Sequence, residues 1–539
     1  MYTGIVAAGG IGVNGFLTVV EVGGYRGVMP MPNKPNVIII MTDQQRADHS
    51  RREGCPLDTT PFLDALSAEG TWFDRAYTSM PVCVPARVSM LTGRYPSAHR
   101  VRTNHNIPDA YYTEDLFDLF RKNGYRAALV GKNHSHLTRE KADLWYECGH
   151  LGIDGQDRTP EEKAFDDWLR TTHFHMSIDP TPFPVECQIP CRLVTRAERW
   201  IGVRDADPFL LWLSFPEPHN PYQVPEPYYS MFLPETLPKP DADEEALGVK
   251  GFKFQWCRES FIKAFPDFVQ QLPRMRSNYM GMLRLIDDQV KRFVQFLDTQ
   301  GLRENTIIVF LSDHGDFVGD YGLMRKGPEL PEALVRIPMQ FTGPGIRRDE
   351  KPHRAHVSIV DVMPTLCEAV GLPMPAGVQG RSLWPILTGG DYPEEEFESA
   401  YVEHGFGGLH YTEHEDLDPA EDGLTSARLE ARNPKFEWGA FDCLSSWTQS
   451  GQMRMVRKGD WKLVYDMQGS GQLYGVKRDP SEARDLYGKP ECSGKQMEML
   501  EELLTWRLRV EDPLPLPRAR YVMKRDPRDY WTPYRKRNG

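Results

Sequence analysis

No stretch of this 539-residue chain approaches the length of an apolar membrane-crossing helix, so nothing in the sequence points to a membrane. An excess of positive charge is also missing. Against 76 Asp and Glu there are 64 Lys and Arg, a net charge of −12. That argues against a nucleic-acid partner, though an anionic substrate can still sit in a local cationic pocket. Cysteine is sparse: nine residues, an odd number without a repeating spacing. They read as reduced thiols rather than a disulfide framework, and hence as a cytoplasmic protein. Cys187 and Cys191 lie close together, but no second pair accompanies them to complete a metal site. Residues 1–34 lack the Lys or Arg that opens a secretory signal, and glycines interrupt them. Gly10-Ile11-Gly12-Val13-Asn14-Gly15 fits G-x-G-x-x-G, but no clear strand precedes it and no convincing helix follows, which excludes a dinucleotide site.

What is present describes an ordinary globular protein, with 40% hydrophobic and 26% charged residues. The length calls for one large domain plus a smaller one. Asn36-Val37-Ile38-Ile39-Ile40-Met41-Thr42 is a β-branched run of the kind buried on both faces of a sheet. Similar runs cover Tyr125 to Val130, Phe209 to Phe215 and Thr306 to Leu311. Each delivers polar residues at its C-terminal end, where open α/β sheets bind ligands. A helix is expected from Arg276 to Gln300, with apolar residues at helical spacing.

The stretch Cys83-Val84-Pro85-Ala86-Arg87, followed by Leu91-Thr92-Gly93-Arg94, opens a short helix. Pro85 suits its first turn and Gly93 its end. Cys83 then stands at the helix N-terminus, which favours negative charge. This stretch resembles the signature of the type I sulfatases and the related phosphonate monoester hydrolases of the alkaline phosphatase superfamily. The resemblance implies a large, mostly parallel α/β sheet sandwiched by helices, with a small C-terminal antiparallel sheet and helix. It also implies that a formylglycine-generating system converts Cys83 to formylglycine, whose hydrate is the nucleophile.

Matching residues recur along the chain. Asp43 and Gln44 after the first strand, with Asp313 and His314 in Ser312-Asp313-His314-Gly315, resemble the family's metal ligands, completed by a formylglycine oxygen at Cys83. Most sulfatases carry two carboxylates where this chain has Asp43 and Gln44. Gly131-Lys132-Asn133-His134 resembles G-K-x-H: Lys132 would contact nucleophile and sulfate, and His134 would act as base, with His136 as competitor. Pro218-His219-Asn220-Pro221 resembles P-H-x-P, where His219 would serve the leaving-group oxygen. Lys326 matches the lysine that binds the transferred group, with Arg325 next to it as competitor. Arg87 would orient the nucleophile, and Asn104 would approach the substrate. Glu332 and Arg336 fit E-x-x-x-R and read as outer support.

The resemblance implies a sulfate monoester hydrolase, arylsulfatase-like, acting on a small-molecule ester with one divalent metal ion. Gln44 and His314 shift the metal preference towards Mn²⁺ or Zn²⁺, with Ca²⁺ also allowed. The first rival is a phosphonate monoester or phosphodiester hydrolase with the same nucleophile, favoured by Gln44 and His314 and opposed by Lys132-x-His134. The second is a non-catalytic binding protein on the same scaffold. The expected divisions are an extension at 1–34, a catalytic domain at 35–400, a small α+β subdomain at 401–511 and an arm at 512–539, which offers a route to a homo-oligomer. Residues 223–272 read as a lid or specificity loop.

Overall fold

The computed structural model describes residues 34–153, 158–203, 207–407, 413–414 and 451–512. The G-x-G-x-x-G stretch and the C-terminal arm lie outside the described residues. Thirteen strands are named here in chain order. They are β1 (Asn36–Asp43), β2 (Thr71–Phe73), β3 (Ala76–Tyr77), β4 (Arg126–Gly131), β5 (Leu144–Glu147), β6 (Phe209–Pro218) and β7 (Thr306–Ser312). The rest are β8 (Met339–Thr342), β9 (Val357–Ser358), β10 (Ser399–His404), β11 (Met453–Lys458), β12 (Trp461–Asp466) and β13 (Gly471–Gly475).

Seven strands form the main sheet in the order β2-β8-β7-β1-β6-β4-β5. β1 runs parallel to both neighbours, β6 and β7. Only β8 is reversed, pairing antiparallel with β7 and β2. The sheet is therefore mixed and mostly parallel, and its central strands lie between two apolar layers. Alternation along β1 divides them: Val37, Ile39 and Met41 enter one core, while Ile38 and Ile40 enter the other. The first core holds the helices Cys83–Thr92, Leu116–Lys122 and Val362–Ala369; the second holds Ile189–Gly202 and the long helix Phe268–Thr299.

The small sheet runs β10-β11-β12-β13, antiparallel throughout. Its β11–β12 hairpin turns at Gly459, with φ +57°. The helix Ser493–Val510 packs on this sheet and feeds Leu503, Trp506 and Val510 into the first core. β10 also grips the nucleophile region. The Glu403 N–H donates to the Ser79 carbonyl at 2.9 Å, and the Ser97 hydroxyl donates to Glu403 Oε1 at 2.6 Å.

Two local expectations change, at the long helix and at residues 223–272. The helix Phe268–Thr299 starts earlier than expected and contains Pro273. Its Asp287 carboxylate caps the helix Pro61–Ser67, accepting from the Phe62 and Leu63 N–H groups at 2.9 and 2.8 Å. Residues 223–272 do not form a lid loop but carry the helices Glu244–Val249 and Phe252–Ala264. Phe254, Cys257 and Phe261 bury there against Met275, Tyr279 and Phe317 in a third core. Aromatics dense enough to suggest a specificity surface are here spent on packing. No helix among the described residues is long and apolar enough to cross a membrane.

Candidate active site

Parallel register sets the site. Thr42 of β1 stands beside Ser312 of β7, so the next residues, Asp43 and Asp313, emerge side by side. β6 runs into His219 and β4 into Lys132 at the same end of the sheet. Gly131 makes the β4 exit possible: its φ is +114°, and a Cβ there would lie 1.9 Å from the Ser214 carbonyl oxygen. The helix Cys83–Thr92 presents its N-terminus to these strand ends. All ten of its residues are buried. The Asn104 side chain accepts from the Val84 N–H at 3.1 Å, capping that helix.

Arg87 ties the floor together. Its guanidinium is fully buried and donates to Asp313 Oδ2 at 2.9 Å, Asp43 Oδ2 at 3.1 Å, the Lys132 carbonyl at 2.9 Å and Ser214 Oγ at 2.8 Å. Four of its five N–H donors are thereby used. Lys132 Nζ also bonds Asp43 Oδ2. Burial alone would raise the Asp43 carboxyl, but Lys132, His219 and Arg87 outweigh it and hold the group well below the ordinary range. Burial and the Asp43 charge push Asp313 up.

Cys83 Sγ stands among these strand ends, at the start of its helix. It lies 3.2 Å from His314 Nε2, 3.5 Å from Lys326 Nζ and 3.7 Å from Asp43 Oδ1. Burial and Asp43 raise this thiol, yet Lys132, Lys326 and His314 bring it down to about 6. The pocket is therefore built to hold an anion at this atom.

The donor set suits a cation. Ligand atoms of Asp43, Cys83, Asp313 and His314 all lie within 4.8 Å of one another. His314 Nδ1 donates to the Gly315 carbonyl at 2.9 Å, so Nε2 faces inward. Nε2 stands 3.9 Å from Asp43 Oδ1 and 3.8 Å from Asp313 Oδ1. Burial would lower this imidazole, but Asp313 and Cys83 outweigh it and push it up. A divalent cation would take the place of the Nε2 proton between the two carboxylates. Gln44, in a left-handed backbone conformation with φ 69°, adds its amide oxygen beside this cluster, 3.5 Å from Lys326 Nζ.

The opposite wall is cationic and imidazole-rich. Lys326 Nζ stands 3.4 Å from His219 Nε2, and Lys132 Nζ 2.7 Å from His150 Nε2. An ammonium has no lone pair, so both imidazoles accept and carry their protons on Nδ1. The Asn220 carbonyl, 2.8 Å from His219 Nδ1, fixes that tautomer. His219 thus offers its Nε2 lone pair to Lys326. The rings of His150 and His219 stack with centroids 3.8 Å apart. Burial, then nearby cations and imidazoles, push His134, His150 and His219 well down, leaving three neutral rings. Among the described residues, His134 Nδ1 is buried without a hydrogen-bond partner.

Asp43, Gln44, Cys83, Arg87, Lys132, His219, Asp313, His314 and Lys326 therefore converge. Asn104 reaches the helix cap, and no hydrogen bond joins His134 to Cys83. His136 turns to Asp115 at 3.1 Å, and an Arg325 guanidinium N–H donates to the Phe174 carbonyl at 2.9 Å, so neither competitor enters the site. Glu332 and Arg336 do not support it: Glu332 meets Tyr77 and Lys462, and Arg336 meets Glu53. Sequence reasoning missed His150, Ser214 and Asp316. Only Asp316 carried a signal, standing two residues after His314.

A mostly parallel sheet that gathers carboxylates, an imidazole and a helix-borne cysteine at one strand edge defines an alkaline-phosphatase-like hydrolase. The sulfatase family profile matches residues 35–372, and the chain belongs to that family. It is 30% identical over 410 residues to an arylsulfatase of Clostridium perfringens, covering 69% of this chain and 82% of that one. It is 27% identical over 524 residues to the multifunctional alkaline phosphatase superfamily protein PehA of Trinickia caryophylli, covering 89% and 96%. Its fold matches the phosphonate monoester hydrolase of Agrobacterium radiobacter with a TM-score of 0.68 at 23% identity, covering 88% and 96%.

Proposed function

We propose that this hydrolase cleaves sulfate monoesters of the aryl type, using Cys83 after its conversion to formylglycine by a formylglycine-generating system. One observation carries the reading: Cys83 Sγ sits at a helix N-terminus between His314 Nε2 and Lys326 Nζ, beside Asp43. Formylglycine at Cys83 would supply the nucleophilic hydrate, and Asp43, Gln44, Asp313 and His314 would hold a divalent cation, which would supply positive charge beside that nucleophile. The imidazole and amide among these ligands favour Mn²⁺ or Zn²⁺ over Ca²⁺.

Arg87 keeps the two carboxylates ionised and aligned, with one N–H left for the nucleophile. Lys132 and Lys326 bind the equatorial oxygens of the transferred group and oppose its developing charge. His219 orients Lys326 towards the leaving oxygen. His134, neutral and with an unpartnered Nδ1, would act as the base towards the nucleophile. Asn104 contributes by holding the helix that carries Cys83. The eight free thiols among the described residues support a cytoplasmic protein. We divide the chain into a catalytic domain at 35–400 and a subdomain at 401–511, and the arm at 512–539 is our candidate for contact with a second copy.

Phosphonate monoester hydrolysis is the second reading, favoured by Gln44 and His314 at the metal cluster. A rate comparison decides between them, with an aryl sulfate and the matching aryl phosphonate monoester on one metal-loaded preparation. Faster sulfate cleavage supports the first reading and faster phosphonate cleavage the second. In Cys83→Ala the preferred activity should fall by at least about 10⁴-fold. If the aldehyde is present by mass spectrometry and neither ester is cleaved, the enzyme reading gives way to that of a binding protein.

A further inference from the structure

Asp316 touches no candidate ligand atom that holds a charge, yet it controls one. Its carboxylate is fully buried, at 0% exposure. Oδ1 accepts the Val318 and Arg325 backbone N–H groups, each at 2.8 Å. Oδ2 accepts the Tyr222 hydroxyl at 2.8 Å and the Gln44 Nε2 amide. Four donors fill the two oxygens, and two of them are backbone groups that cannot reverse. The carboxylate side facing Gln44 can only accept.

This matters because an amide has two ends. Gln44 Oε1 can ligate a cation; Nε2 cannot. With Nε2 turned to Asp316, Oε1 faces Lys326 Nζ at 3.5 Å, the same ammonium that lies 3.5 Å from Cys83 Sγ, while the Gln44 backbone N–H donates to Asp313 Oδ1 at 3.0 Å. The Arg325 N–H bond also fixes the backbone immediately before Lys326. We propose that Asp316 is a positioning residue of the metal centre, locking the Gln44 amide with its oxygen towards the cation. The inference rests on the metal reading of that cluster.

The test exchanges the polarity of the hydrogen bond. In Asp316→Asn, the new amide keeps an oxygen for the two backbone N–H groups and turns an NH₂ towards Gln44. Two donors then face each other, and Gln44 relieves the clash by flipping its NH₂ inward. In Gln44→Glu with Asp316→Asn, the asparagine donates to the new carboxylate, whose other oxygen faces the cation. The readout is the Kd for Mn²⁺, measured by competition with a chromogenic chelator on the full chain and supported by thermal melts. Asp316→Asn should weaken Mn²⁺ binding about 10- to 100-fold. The double variant should return to wild-type affinity or better. In a Gln44→Ala background, adding Asp316→Asn should change the Kd by less than about twofold.

Unchanged affinity in Asp316→Asn overturns the proposal, as does a double variant no tighter than the single. If Asp316→Asn fails to fold while the double variant folds and binds Mn²⁺, the coupling is shown directly. If neither folds, Asp316 is a structural buttress and the proposal fails. A wild-type chain that binds none of Mn²⁺, Zn²⁺ and Ca²⁺ would instead remove the metal reading itself.

Discussion

The floor and the opposite wall of the site are built on different rules. The floor, from the ends of β1 and β7, is a closed ionic network: Arg87 bridges Asp43 and Asp313 and is itself anchored to Ser214 and the Lys132 carbonyl. The wall, from the ends of β4, β5 and β6, is a set of neutral imidazoles leaning on two lysines. Removing a floor member leaves a buried charge unpaired, which is costly. Removing a wall member leaves a lysine that can still find another acceptor. The floor should therefore govern stability as well as chemistry, and the wall mainly chemistry.

Arg87→Ala should break the comparison hardest. It leaves two adjacent carboxylates without their shared cation and should cost about 3–5 kcal/mol of stability, read by denaturant unfolding. Lys132→Ala should lower kcat about 10²- to 10³-fold and reduce the melting temperature less than Arg87→Ala does, because Asp43 keeps Arg87. Equal melting losses in these two variants would erase the distinction between floor and wall.

Glu217, buried near the end of β6, sharpens the contrast through pH. Burial pushes its carboxyl up to about 8, and Oε2 has no hydrogen-bond partner among the described residues. Its folded form holds a proton that the unfolded chain releases near pH 4.5. The resulting stability is complete below that pH and is lost as pH rises through about 8. Between pH 5 and 9, Glu217→Gln should lose ~2–4 kcal/mol less stability than the parent chain, measured by denaturant unfolding at each pH. The smallest effect should come from His150→Phe, which keeps a ring on His219 but removes the acceptor for Lys132. We expect kcat to fall about fivefold, the equivalent of one hydrogen bond of about 1 kcal/mol, with melting unchanged.

The floor was also the more legible half. Asp43, Cys83, Asp313 and His314 follow a buried β run or open a helix with its own start and stop signals, so local pattern announces them. The wall depends on what no local pattern records. His150 follows the four-residue strand β5, whose half-buried residues carry no clean alternation. Asp316 stands in plain view after His314, but its meaning lies in Gln44, 272 residues away in sequence. The role of His219 turned on a backbone carbonyl that fixes its tautomer, which residue type cannot reveal. The large sheet and the small hairpin sheet were readable from β-branched runs and alternation. The cap supplied by Asp287 was not, because it lies 225 residues from the Phe62 N–H it accepts.

The grip of β10 on the nucleophile region introduces a matter of timing. Cys83 is buried at 1% exposure, and segments on both sides of its helix are tied to Glu403 through Ser79 and Ser97. At roughly 5–20 residues per second, a ribosome leaves tens of seconds between delivering Cys83 and delivering that clamp. A formylglycine-generating enzyme of the kind proposed above would have its access during that interval. Once the last strands arrive, the door is shut from the far end of the chain, and a cysteine missed on the way is sealed in as it stands.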